Sequence, residues 1–93
     1  MASRWRRRRM CVLLTDRPCP AALREISATT AFLETNARPA LGAAVELHHP
    51  EAGRIEGRVQ ALSKDGVRLT FACTEHSVGF AMAAIASDMS RAE

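Results

Sequence analysis

The sequence predicts a mainly β protein, a small antiparallel β-barrel of about six strands with one C-terminal α-helix packed on it. Three observations carry this expectation. Apolar and polar residues alternate with the strand period in several short runs, most clearly from Arg54 to Ala61, as they do where one face meets a core and the other meets water. Pro, Gly and Asp interrupt these runs at short intervals, which suits hairpins. After Thr74 the apolar spacing lengthens to near four, the helical period.

Residues 1–9 contain Arg4, Arg6, Arg7, Arg8 and Arg9 with no apolar periodicity, so they are expected to form a flexible basic arm. Residues 10–90 then make a single domain, with the helix starting at about 75. Cys11 to Leu14 is a short apolar run closed by Asp16, Pro18 and Pro20, a first strand followed by a turn. Ala22 to Ser27 alternates as a second strand, Ala28 to Thr30 bend the chain, and Ala31, Phe32 and Leu33 resume it. Pro39 and Gly42 mark Asn36 to Ala43 as a loop. Val45 and Leu47 share one face ahead of a turn at Pro50 to Gly53.

In the next run Ile55, Gly57, Val59 and Ala61 face one way, while Arg54, Glu56, Arg58 and Gln60 face the other. Lys64-Asp65-Gly66 is a turn by its Asp-Gly pair, and Val67, Leu69 and Phe71 alternate after it. Thr74 can cap the helix. Val78, Met82, Ile85 and Met89 fall on one helical stripe, which is expected to be the face packed on the barrel.

A chain of 93 residues that is 47% apolar can bury one core, but with 4% aromatic residues that core must be aliphatic. A broad stacking platform for single-stranded nucleic acid is correspondingly not expected. The net charge of +3 is unevenly spread, because the five arginines of the arm outweigh a body with more acidic than basic groups. Attraction of anions should therefore be local to the arm.

Cys11, Cys19 and Cys73 are odd in number and lack Cys-x-x-Cys spacing, which argues against a disulfide framework and a zinc site and fits a reducing cytoplasm. Met10 to Leu14 is too short for a signal-peptide core or a membrane span, so a soluble cytoplasmic protein is expected. His48 and His49 would point to opposite faces of a strand, which disfavours one shared metal ion and predicts surface histidines. Ser27, His76 and Asp88 could be drawn as a triad, but no Gly-x-Ser-x-Gly elbow frames the serine and no catalysis is expected.

Arg4 and Arg8 have the spacing R-x-x-x-R ahead of the first strand, and Glu25, Ser27 and Thr30 stand at the fixed places of D/N-x-S-x-x-G at the end of the second. With the Gly57-Arg58-Val59 strand, the Gly66 to Phe71 strand and the final helix, this order resembles the PilZ domain over roughly residues 4–90. That family is the bacterial receptor module for cyclic di-GMP in second-messenger signalling. The resemblance implies a ligand site of Arg4, Arg8, Glu25, Ser27 and Thr30, no cofactor beyond that ligand, no enzymatic activity, and an effector protein that senses the bound state.

The residue types suit that chemistry. A guanidinium can make two parallel hydrogen bonds to a phosphate or to guanine O6 and N7, and a good bidentate contact to a base is worth about 1–3 kcal/mol. The resemblance implies that Glu25 accepts from guanine N1 and N2 and that Ser27 adds a hydroxyl bond. Glu25 replaces Asp or Asn, and Thr30 replaces a glycine whose positive φ or close ligand approach a β-branched residue would serve poorly. Thr30 therefore motivates an alternative, a degenerate PilZ-like domain that binds no nucleotide and acts as a protein-interaction adaptor. A second alternative is nucleic-acid binding through the arginine arm; five phosphate contacts would give a slope of about −4.5 in log affinity against log salt.

Overall fold

Alternation and turn chemistry resolve into six strands and one helix in the computed structural model, which describes residues 9–90. The strands are β1 (Arg9–Leu14), β2 (Pro18–Ile26), β3 (Thr30–Glu34), β4 (Ala44–His49), β5 (Gly53–Leu62) and β6 (Gly66–Thr70), and α1 spans Glu75–Ser90. They close a barrel in the order β1-β2-β3-β6-β5-β4, with every pairing antiparallel and β4 returning to β1 through Leu13↔Leu47. Closure removes the sheet edges that an open sheet of these short strands would expose. The expected fold class is the observed one.

The core is aliphatic, as the composition requires. Leu13, Leu33, Leu47, Val67 and Leu69 are fully buried inside the barrel, each contributing about 1.5–3 kcal/mol on burial. Cys11 is buried among them, Cys19 is half-buried and Cys73 is exposed.

Several local expectations are corrected. Pro18 and Pro20 do not end a turn but lie in β2, paired with Leu14 and Val12. The Pro20 carbonyl accepts a hydrogen bond from Thr35 Oγ1 at 2.8 Å, so the prolyl nitrogen faces the same side, where β3 has ended and no ladder bond is lost. Ala61 is exposed, because a register shift between Val59 and Ala61 turns it outward opposite Arg68.

Gly66 is the first residue of β6 and lacks the positive φ of an Asp-Gly turn; among the described residues only Gly42 and Gly53 have one. A Cβ on Gly66 would run into the Leu33 carbonyl, so close strand approach demands the glycine. His49 is buried, with Nδ1 accepting the Glu51 and Ala52 amides at 3.0 Å each. His48, on the opposite face, donates to Glu46 at 2.8 Å.

The helix starts where Thr74 caps it: Thr74 Oγ1 accepts the Ser77 amide at 3.2 Å and Ser77 Oγ accepts the Thr74 amide at 2.9 Å. Its buried side is Ser77, Phe80, Ala81, Ala84 and Ser87 rather than the expected stripe, of which Val78, Met82 and Ile85 are exposed and Met89 lies outside the residues whose side chains are described. The reason is one large side chain. Phe80 packs between His49 and Phe71, with ring centroids 6.1 and 6.5 Å away, and Phe71 itself lies against Gly57, where a Cβ would come within 2.8 Å of the ring. Polar contacts flank it, from Ser87 to Glu51 and from His76 Nε2 to the Arg54 carbonyl at 2.8 Å. α1 thus lies across the barrel end where β4 turns into β5.

Candidate ligand-binding surface

Three predicted site residues, Glu25, Ser27 and Thr30, come together where β2 passes into β3. The turn is held by Ser27. Its amide donates to the Thr30 carbonyl at 2.8 Å, while its hydroxyl accepts the Thr29 and Thr30 amides at 3.2 and 3.1 Å. A serine hydroxyl has two acceptor positions and one proton to donate, so both acceptor positions are engaged by the turn. Its proton can go to the Thr30 carbonyl at 3.4 Å or to the Thr30 and Thr29 hydroxyls at 3.1 and 3.4 Å. Ser27 shapes the turn and leaves the threonine hydroxyls as its outer polar groups.

Thr30 opens β3 opposite Thr70 and has no positive φ. A β-branched residue is unstrained in that extended conformation. The Thr70 hydroxyl donates to the Thr29 carbonyl at 3.3 Å and the Phe71 amide to the same carbonyl at 2.8 Å, which ties the turn to β6.

Glu25 lies one step back from the turn, after a bulge between Leu23 and Glu25 that leaves Arg24 without a cross-strand partner residue in the register. Glu25 and Arg68 both flank Phe32 across the strands. Arg68 donates to Glu25 Oε1 at 3.2 Å and its guanidinium stands 5.3 Å from the Phe32 ring centroid. The Glu25 side chain is still 68% exposed, and a carboxylate with one oxygen on Arg68 retains acceptor capacity for a ligand. Arg24 pairs with Glu34 at 2.7 Å on the same outer surface.

Phe32 is the residue that the sequence did not place here, since it reads only as one member of an apolar run, whereas Arg68 reads as a solvated strand-face residue that could line a basic pocket. The cross-strand register turns both outward beside Glu25.

Arg4 and Arg8 lie outside the described residues. Where their segment joins the barrel is nevertheless set by β1, whose first residue Arg9 pairs with Leu23, two positions before Glu25. Two clefts, of about 710 and about 300 Å³, lie elsewhere: the larger is lined by Arg17, Cys19, Asn36 and Arg38, the smaller by Met10, Pro20, Glu34 and Asp65. Among the described residues no helix is long and apolar enough to cross a membrane. No protein-family model, no curated protein and no solved structure matches this chain.

Proposed function

We propose that this protein is a PilZ-like receptor that binds cyclic di-GMP on the outer surface around the β2–β3 turn and performs no chemistry on it. The observation that supports this most is the pairing of Arg9 with Leu23, because it starts the arginine segment beside the strand end that carries Glu25. Arg4 and Arg8 would then supply paired hydrogen bonds to phosphate or guanine, and Glu25 would accept from the guanine N1 and N2 donors. Arg68, which reaches Glu25 across the Phe32 ring, is a further cation within reach of the same ligand. Binding would order the arm over a cytoplasmic protein's barrel, and an effector protein would read the altered surface.

Titration calorimetry with cyclic di-GMP, against GMP as control, tests this. Saturable binding is expected, lost in Arg8→Ala and weakened about 5- to 150-fold in Glu25→Ala, the equivalent of one bidentate contact. Absence of heat at high micromolar ligand ends the reading. The second reading, an adaptor that has lost the nucleotide, is favoured by Thr30 standing where the family motif has glycine. Binding seen only in Thr30→Gly would support the adaptor, and equal binding with and without that change would count against it.

A further inference from the structure

The helix that covers the barrel end is apolar on both sides. Phe80, Ala81 and Ala84 face the barrel, yet the opposite side exposes Val78, Met82 and Ile85 at 40%, 65% and 43%. No charged residue occurs from Ser77 to Ser87. A surface helix ordinarily carries charge on its outer face, and a helix apolar all round is one with both faces covered. Around the three large side chains lie small ones: Gly79, above which a Cβ would meet nothing within 4 Å, and Ala86, which is exposed.

We propose that α1 pairs with α1 of a second copy of this chain, antiparallel, about a two-fold axis at Met82. The spacing of large and small residues selects this arrangement. With Met82 facing Met82, Ile85 of each helix falls opposite Gly79 of the other, and Val78 falls opposite Ala86, so each protruding side chain meets a gap. A parallel pair would instead set Ile85 on Ile85 and leave Gly79 facing Gly79. The antiparallel pair also brings the positive end of each helix dipole beside the negative end of the other.

A lipid surface is the poorer occupant, since interfacial helices carry Lys or Arg along the polar rim and none occurs between Glu75 and Ser90. The strip from Val78 to Ala86 is only about 13 Å long and about 10 Å wide. That is well below the roughly 800 Å² per partner of a stable interface, which makes the dimer reversible and concentration-dependent. It stands independently of the nucleotide reading, because the β2–β3 turn contributes none of these residues.

Sedimentation equilibrium from micromolar to millimolar protein tests it. The expected result is a monomer–dimer equilibrium that Met82→Glu weakens about a hundredfold or more by setting two like charges at the axis. Gly79→Leu fills the gap for Ile85 and has the same expected direction, with circular dichroism checking that the fold persists in both. Geometry is read by cross-linking under copper-phenanthroline in a Cys19→Ser, Cys73→Ser background: Met82→Cys is expected to cross-link efficiently and Gly79→Cys poorly. A monomer at every concentration, a dimer unchanged in Met82→Glu, or equal cross-linking at both positions overturns the proposal. So does a monomer that binds phosphatidylserine vesicles through Met82, which would give the face to a membrane.

Discussion

The two tight hairpins at opposite ends of the barrel are both opened by a serine and closed three residues later, yet one ends in Thr30 and the other in Gly66. In the β2–β3 turn Ser27 donates its amide to the Thr30 carbonyl, and in the β5–β6 turn Ser63 donates its amide to the Gly66 carbonyl at 2.9 Å. The return bond differs. Thr30 donates to the Ser27 hydroxyl at 3.1 Å, whereas Gly66 donates to the Ser63 backbone carbonyl at 3.3 Å. Neither fourth residue has a positive φ. Glycine is needed at 66 because β3 crosses so close that any Cβ meets the Leu33 carbonyl, and no such demand follows from the backbone at 30. What decides between glycine and threonine is the neighbouring strand, not the turn.

The strongest way to break this comparison is Gly66→Ala. It is expected to cost about 2–4 kcal/mol through backbone displacement, read as a lowered urea midpoint. A variant as stable as the parent would mean that β3 and β6 can separate without penalty. Ser27→Ala should follow at about 1 kcal/mol, because two amides lose their acceptor at a turn that water can partly reach. Ser63→Ala should cost less, about 0.5 kcal/mol, since among the described residues its hydroxyl accepts one amide, that of Asp65, at 3.3 Å. If the order of the two serines reversed, the β2–β3 turn would not depend on its hydroxyl network.

Thr30→Gly is expected to change stability by less than about 1 kcal/mol, the ordinary cost of added backbone freedom. Its effect on cyclic di-GMP binding is thus interpretable without a folding correction. The smallest effect lies outside both turns, on β4. The hydrogen bond from His48 holds the Glu46 carboxyl below the usual carboxylate range, with the Arg54 charge adding to it. A depressed folded-state pKa contributes stability that is present above the ordinary carboxylate value and is lost as pH falls through the lowered one. The pair is exposed, so His48→Ala should reduce the acid dependence of the urea midpoint only slightly. A large reduction would make β4 a second pH-sensitive element.

The candidate site was partly legible. The spacing of Glu25, Ser27 and Thr30 placed all three about the end of the second strand; Glu25 lies in that strand, Ser27 in the turn after it, and Thr30 opens the third. Their division of labour was not legible, because whether a serine hydroxyl points into its own turn or toward a ligand depends on which amides the turn directs at it. The partnership of Glu25 with Arg68 was hidden for a different reason. Those residues are 43 positions apart and meet only through the pairing of β3 with both β2 and β6.

Local chemistry determined most of the fold. Period-two alternation, proline and glycine breaks and the Thr74 cap identified the strands, the turns and the helix, since each depends on residues within a turn or two of one another. Tertiary structure decided which of two apolar helix faces is buried, which way Ala61 points, why Gly66 is glycine and how Pro18 and Pro20 fit inside a strand. The helix shows the reason most directly. The period of its large residues favours the stripe through Val78, Met82 and Ile85, but the segment is apolar on every side, and the fit of Phe80 between His49 and Phe71 makes the choice, leaving that stripe outside.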